Sequence, residues 1–270
     1  MSLTQIPELR IELGSAAQAV ERAGRRVADL LLRQEDTGRG VQGLEWSIAE
    51  TAAHLAARTG RFARYLAGSN APEGPISQIA TENEQDVRER GARTLGEHVE
   101  ELRSDLAAFV TASRGRLGSD PFPWYSGATI DVATATGLLL GELDVHGFDV
   151  ARTVGTSWPV PAADGRTIVR AAVVLAPLYV DPEATRGVSV TFRIAVRGGP
   201  AFRIRFDDGT ATVEAAAGKA DATIRVDPFS LVLVSYGRVS KWRAMATGKL
   251  FATGRRPWAA LDFDRYFLPP

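Results

Sequence analysis

The stretch GELDVHGFDVAR, residues 141–152, places a glutamate and a histidine four positions apart in a largely apolar run. Residues four apart in an α-helix project from the same face, one turn from each other. Their neighbours Leu138, Leu139 and Phe148 indicate a helix that is buried nearly all round. Because an unpaired carboxylate in such a place is costly to dehydrate, we expect Glu142 to have a polar partner, either His146 alone or a further residue as well.

The composition is that of a globular protein. The 270 residues are 45% hydrophobic, enough for one large domain or two ordinary ones. Charged residues make up 24% with a formal net charge of zero, which argues against partners such as nucleic acid or a membrane surface. The start lacks the pattern of a signal peptide, and no apolar run has transmembrane length. We therefore expect a cytoplasmic protein.

Cysteine is absent from the chain. Disulfides, zinc sites with cysteine ligands and a cysteine nucleophile are thereby excluded. Any thiol chemistry must use a thiol that a small molecule supplies.

The first half of the chain has the apolar periodicity of helices. The spacing predicts four of them, over residues 4–34, 46–68, 76–114 and 129–153. The segment GSDPFPWYSG, residues 118–127, is predicted to be a loop from its proline and glycine content. Four long helices with such connections favour a four-helix bundle.

The second half changes character after TSWPVPAADG, residues 156–165, where a domain boundary is expected near residue 160. A helix is predicted over 163–179, and the apolar period then becomes two, as in VSVTFRIAVR, residues 188–197. DDG at 207–209 predicts a hairpin turn, and Asp227 predicts the cap of a further helix. The prediction is an α+β domain with a curved sheet covered by helices.

Each of the three histidines has a different setting. His98 is expected on the surface, because it shares its helical face with three polar residues: Thr94, Glu101 and Asp105. His54 lies at the edge of the apolar stripe of the second helix. If it meets Glu142 and His146, two imidazoles and a carboxylate form a catalytic zinc site with open positions, or an iron(II) site. The alternative is a local Glu142–His146 pair that only stabilises the bundle.

Two motifs resemble those of a known family. WSIAETAAHLAA, residues 46–57, resembles W-[ST]-x-x-[DE]-x-x-x-H in the DinB-like N-terminal domain of mycothiol-dependent maleylpyruvate isomerases, and GELDVHGFDVAR resembles that family's E-x-x-x-H-x-x-D. The resemblance implies a DinB-like bundle over residues 1–156. It also implies a divalent metal, expected to be zinc, held by His54, Glu142 and His146. Asp149 is then either a partner that orients the His146 imidazole or a surface charge.

The segment 218–254, GKADATIRVDPFSLVLVSYGRVSKWRAMATGKLFATG, is similar to the SCP2-type domain, which implies such a domain over residues 160–270. Characterised isomerases of the family need an arginine of the C-terminal domain for activity. The resemblance makes Arg238 the catalytic candidate, with Arg225 and Arg243 as competitors.

The resemblance further implies an isomerase or thiol transferase that uses mycothiol as cosubstrate and acts on a small electrophile, such as an unsaturated carboxylate. Arg58 and Arg61 are the expected cosubstrate-binding cations, unless they only line a solvated helix face.

Two other functions compete with the enzyme. In one, the SCP2-like half binds an apolar, lipid- or sterol-type ligand through side chains that would otherwise be core: Phe229, Leu233, Trp242, Met245, Phe251, Trp258 and Phe263. In the other, the chain is a scaffold whose His–Glu pair is structural.

Overall fold

The computed structural model describes residues 6–69 and 74–268. Its contacts divide the chain into two compact units. One comprises Ile11–Asp164, and the other runs from Gly165 onward and includes the described residues up to Arg10. The predicted domain limits, residues 156 and 160, lie close to this division and remain a proposal.

The first unit is helical. Its helices are α1 (Leu13–Leu32), α2 (Ile48–Leu66), α3 (Ile79–Arg90), α4 (Leu95–Ser113) and α5 (Val132–Thr153). Helix α2 packs against α4 and α5, and α1 packs against α4 and α5, so these four form the predicted bundle. Helix α3 packs against α2 and contributes one buried side chain among its described residues, Val87.

The first helix, α1, is shorter than the predicted range of residues 4–34. A 3-10 turn at Pro7–Leu9 precedes it, and α1 begins where the Glu12 carboxylate accepts hydrogen bonds from the backbone N–H groups of Gly14 and Ser15, at 2.9 and 2.6 Å. A side-chain acceptor at this position caps the helix and stops its extension toward the N-terminus. Residues 4 and 5 lie outside the described part of the chain.

The predicted third helix is two helices, preceded by a 3-10 turn at Ile76–Gln78. The helical conformation is interrupted at residues 91–94. There the Thr94 hydroxyl accepts a hydrogen bond from the Glu97 N–H, and the Glu97 carboxylate accepts one from the Thr94 N–H. This capping box begins a new helix, α4. The single-helix prediction was wrong because the apolar spacing that supports it starts only at Leu95.

The predicted loop 118–127 contains part of a small antiparallel pair, β1 (Pro121–Pro123) with β2 (Thr129–Asp131). Tyr125 is buried in the turn between these strands. Asp131 then caps α5, accepting a hydrogen bond from the Thr134 N–H at 2.7 Å. The fourth helix therefore begins at Val132 rather than at residue 129.

The second unit is α+β, as predicted. The chain runs through α6 (Ala162–Leu175), a 3-10 turn (Ala176–Tyr179) and strands β3 (Ser189–Val196), β4 (Ala201–Asp207), β5 (Thr210–Ala215) and β6 (Ala222–Val226), then α7 (Pro228–Ser235), α8 (Lys241–Ala246) and β7 (Leu250–Gly254). In the described chain these strands form one sheet in the order β5-β4-β3-β6-β7, with β3 and β6 parallel and the other neighbours antiparallel.

Alternate residues of this sheet point into the core. Phe192 and Phe206 on its buried face pack against aromatic residues that follow β7: Phe263, Tyr266 and Phe267. The predicted hairpin turn is present, with Asp208 and Gly209 both at positive φ, 41° and 82°. Among the described residues, none of the helices combines the length and hydrophobicity that crossing a bilayer requires.

Candidate metal centre

Two helices of the bundle bring three predicted residues together. A capping box of Ser47 and Glu50 begins α2 and places His54 two turns into the helix, facing α5. Nε2 of His54 lies 3.4 Å from Oε2 of Glu142, and Nε2 of His146 lies 3.6 Å from the same oxygen. One ligand atom from each residue lies within 4.8 Å of the others.

This arrangement fits a divalent metal. Ligand atoms 2.0–2.1 Å from a tetrahedral zinc ion are roughly 3.3–3.4 Å apart, close to the two distances from Oε2 of Glu142. Both imidazoles are buried, and the Glu142 side chain is 23% exposed, so one side of the cluster is open. The three residues can hold an ion and leave a position for a further ligand.

Asp149 lies beside the second imidazole. Its carboxylate is fully buried, with Oδ2 at 3.6 Å from Nδ1 of His146. The alternative of a surface charge is therefore wrong for Asp149. A carboxylate on the far nitrogen of a ligating imidazole orients the ring and favours the tautomer whose Nε2 can bind a metal.

Trp46 forms a wall of the site that the sequence analysis did not assign. Its ring centroid is 4.7 Å from that of His54 and 6.2 Å from that of His146. Its indole N–H donates to Oε1 of Glu84 on α3 at 2.7 Å. The available signal was the tryptophan that opens the WSIAETAAHLAA motif.

Arg58 and Arg61 do not line a solvated face, so that alternative is wrong. Arg58 is buried, and its Nη2 donates to Oε1 of Glu142 at 3.1 Å. Arg61, with a side chain 13% exposed, donates to Glu82 at 3.0 Å and to Asp86 at 2.5 Å. Helices α3 and α5 pack against α2 and cover this face.

Tyr125 joins the two arginines. Its hydroxyl accepts from Nη1 of Arg61 at 2.8 Å and from Nη1 of Arg58 at 3.5 Å, and it donates to Oε2 of Glu82 at 2.6 Å. Burial, together with the Glu82 carboxylate, raises the pKa of Tyr125 to about 12. The tyrosine was missed because it lies in the segment predicted as a loop.

The charged groups of the cluster and their burial shift the pKa of each of the three residues. Burial would raise the pKa of the Glu142 carboxyl, but Arg58 and the two imidazoles together hold that pKa well below its ordinary value. Burial lowers the pKa of His54 to about 4, against the opposing effect of Glu142. Burial alone would lower the pKa of His146, but the Asp149 and Glu142 carboxylates outweigh it and raise that pKa above the ordinary value.

His98 lies outside the metal cluster, and its predicted surface position is wrong. The side chain is buried on α4. Helix α4 packs against both α1 and α2, so its buried surface is wider than the apolar stripe that the sequence shows. Burial lowers the pKa of His98.

Arg238, the predicted catalytic residue, follows α7 in the second unit. Its Nη1 donates to the backbone carbonyl of Tyr236 at 2.8 Å. Its competitors Arg225 and Arg243 lie on β6 and α8 of the same unit. The catalytic role of Arg238 stays a prediction.

Comparison with known proteins connects this geometry to two families. The model of the mycothiol maleylpyruvate isomerase N-terminal domain matches residues 16–151, just over half of the chain. The model of the SCP-2 sterol transfer family matches residues 178–255. No curated protein sequence matches the chain.

Two crystal structures resemble the whole chain, that of the mycothiol-dependent maleylpyruvate isomerase and that of a histidine-to-alanine mutant of it, with TM-scores of 0.51 and 0.55. Each is 13% identical, and each match covers 90% of this chain and 93% of the other. At that identity the likeness concerns the fold. With the family model and the whole-chain fold in agreement, the chain belongs to the mycothiol maleylpyruvate isomerase family, a family of isomerase enzymes, and carries an SCP2-like domain after the helical bundle.

Proposed function

We propose that the chain is a metal-dependent isomerase or S-transferase that uses mycothiol as its thiol cosubstrate. The observation that carries the proposal is the convergence of the His54, Glu142 and His146 ligand atoms on an open side of the bundle. Family membership supports the choice of mycothiol and of an unsaturated carboxylate-type substrate.

Two of the three ligands, His54 and Glu142, are in the protonation states that metal binding requires. The third, His146, has a raised pKa and releases the proton on its metal-binding nitrogen when an ion binds. His54, with a pKa of about 4, is neutral at pH 7 and offers the Nε2 lone pair. Glu142 is ionised, and Asp149 orients the ring of His146. A divalent ion held by these residues, expected to be zinc, supplies Lewis acidity that lowers the pKa of a bound thiol to near neutrality.

The reaction itself uses the cosubstrate, because the chain has no cysteine. In the isomerase, the mycothiol thiolate adds to the cis double bond of the substrate, and the electron pair of that bond moves onto the conjugated carbonyl. The former carbon–carbon double bond is now a single bond, and rotation about it follows. The electron pair on the conjugated carbonyl then returns and restores the double bond in trans form. The C–S bond breaks at the same time, and its electron pair leaves on sulfur, so the thiolate is released unchanged. In an S-transferase the C–S bond is retained, and the electron pair on the conjugated system takes up a proton to give a neutral thioether.

Arg61 and Arg58 are proposed to bind the cosubstrate through its polar groups and, with Arg238, the carboxylates of the substrate. Both arginines of α2 already bind carboxylates of the chain. A ligand carboxylate would therefore share these guanidinium groups, as planar N–H donors allow.

The test begins with metal analysis of protein purified without a histidine tag. We expect about one zinc or other divalent ion per chain, lost in His54→Ala, because a site with three protein ligands loses most of its affinity with one ligand removed. His98→Gln is the matched control, since it alters a buried histidine outside the cluster and should retain the metal. Thiol-dependent turnover of maleylpyruvate, compared with conjugation of a generic electrophile, then separates isomerase from transferase. A metal-loaded protein that binds no mycothiol would contradict the proposal.

A second candidate function is binding of an apolar ligand by the SCP2-like domain. The second unit contains a cavity of ≈ 270 Å³ whose lining includes Met245, Phe251 and Trp258. Trp258 is 63% exposed and Trp242 is 59% exposed, so core packing does not account for either side chain.

A fluorescent fatty-acid probe tests this function. We expect saturable binding that weakens in Trp258→Ala and is unaffected by a chelator. Binding that is equally strong in Trp258→Ala would exclude this cavity as the site.

A further inference from the structure

We infer that Arg58 is a positioning residue of the metal centre. It holds one oxygen of Glu142 so that the other oxygen faces the two imidazoles. It also supplies the positive charge that compensates Glu142 before a metal binds. The inference rests on the metal site proposed above. It adds to that site a role for Arg58 that precedes any contact with cosubstrate or substrate.

The two oxygens of Glu142 have different partners. Oε1 accepts from Nη2 of Arg58 at 3.1 Å. Oε2 lies 3.4 Å from Nε2 of His54 and 3.6 Å from Nε2 of His146. Because a charge-assisted hydrogen bond occupies Oε1, the geometry favours a carboxylate that binds a metal through Oε2 alone.

Arg58 is itself held in place. Its side chain is 4% exposed, and its guanidinium lies 5.6 Å from the centre of the Phe62 ring. Nη1 reaches the Tyr125 hydroxyl at 3.5 Å, and that hydroxyl donates to Glu82 at 2.6 Å. A side chain packed and bonded in this way has few alternative rotamers, so it can fix the carboxylate that it binds.

The charge of Arg58 matters most when the site holds no metal. Removing one partner of a buried ion pair is strongly destabilising because the other charge stays buried and uncompensated. A bound dication would take over that compensation for Glu142. Arg58 therefore stabilises the metal-free form more than the metal-loaded form, and by thermodynamic linkage it lowers the affinity of the site for the metal.

The experiment compares wild type, Arg58→Met, Arg58→Lys and a control, Arg90→Met. Arg90 is also a partly buried arginine, but its carboxylate partners are Asp86 and Glu101. Thermal unfolding is recorded for each protein without metal and with zinc, zinc affinity is measured by competition with a chromophoric chelator, and the visible spectrum is recorded with cobalt(II) in place of zinc.

We expect Arg58→Met to lower the unfolding midpoint of the metal-free protein much more than that of the zinc-loaded protein, and to tighten zinc binding by about tenfold. Its cobalt(II) bands should weaken, since Oε1 becomes available and the coordination number rises. Arg58→Lys keeps the charge and should restore most of the metal-free midpoint. Arg90→Met should lower both midpoints equally and leave the spectrum unchanged.

Equal losses of both midpoints in Arg58→Met, with an unchanged cobalt(II) spectrum, would overturn the inference and leave Arg58 as a packing residue. If Arg58→Met folds only with zinc, the inference is supported in its strongest form. If it folds in neither state, Arg58→Lys decides, since a variant that keeps the charge and still loses as much stability without zinc as with it would overturn the inference. A wild-type protein that binds no metal contradicts the proposed function instead.

Discussion

Gly147 follows His146 directly and lies against the indole ring of Trp158. A Cβ atom built at this glycine would be 2.4 Å from Cζ2 of that ring. The ring cannot move aside easily, because its N–H donates to Asp144 at 3.1 Å and the Arg26 guanidinium lies 4.1 Å from its centroid. Glycine is required here by the close approach of an aromatic side chain to the helix that carries two of the proposed metal ligands.

We therefore predict that Gly147→Ala destabilises the protein by about 1–3 kcal/mol through overpacking, measured by urea unfolding. Gly96→Ala is the matched control, since the nearest atom to its Cβ is 3.9 Å away. That variant should be unchanged or stabilised by a few tenths of a kcal/mol, roughly, because alanine favours the helix. If the two variants unfold at the same urea concentration, the indole ring does not constrain Gly147.

His98 gives a prediction for the pH dependence of stability. Burial lowers its pKa in the folded state, with Glu101, Arg93, Arg90 and Glu97 as the nearby charges. Below the ordinary pKa of about 6.5, the unfolded chain takes up a proton that folded His98 resists, so the free energy of unfolding falls as the pH falls.

His98→Gln should remove this part of the dependence, and its unfolding free energy should decline less than that of wild type between about pH 7 and pH 5. Urea unfolding at several pH values measures both curves. Parallel curves for the two proteins would show that His98 titrates normally in the folded state.

At the scale of elements, α3 differs from its neighbours in how it is attached. Its carboxylates Glu82, Glu84 and Asp86 bind Arg61, Tyr125 and Trp46, whereas its apolar contribution to the described core is Val87. Exposed or half-buried ionic contacts stabilise less than apolar burial and are weakened by salt.

We predict that the amides of α3 exchange hydrogen faster than those of α2 and α4, and that 0.5 M salt increases this difference. Hydrogen–deuterium exchange measured by mass spectrometry resolves the three helices. Arg61→Met should accelerate exchange in α3 further and leave α4 unchanged, since it removes two ion pairs of α3. Equal protection of α3 and α4 would mean that packing, and not these pairs, holds α3.

The elements show which local signals suffice. The helical period of the bundle and the alternation of β3 and β4 were read correctly, because both depend on spacing along the chain. The break at residues 91–94 was missed although T-x-x-E is present at Thr94 and Glu97. The residues of α3 are mostly polar, so they show no apolar period of their own that would indicate a separate helix before Leu95.

At the scale of the whole molecule, metal binding is predicted to contribute to the stability of the fold. A ligand that binds only the folded chain stabilises it by about 4 kcal/mol at a free concentration 1,000 times its dissociation constant. Zinc should therefore raise the unfolding midpoint of wild type and of His98→Gln. Calorimetry should show no such rise in His54→Ala, and an equal rise in His54→Ala would mean that zinc binds elsewhere.

Local sequence determined most of the helices, the alternation of β3 and β4, the cap at Asp227 and the placement of Glu142 and His146 on one helical face, since each follows from residues a few positions apart. The motifs that resemble a family indicated His54 as the third member. Tertiary structure alone decided that Arg58 binds Glu142, that Tyr125 joins Arg58 to α3, and that His98 is buried. Those contacts join residues distant in the sequence, and they depend on how α2, α3, α4 and α5 pack, which no spacing within one helix specifies.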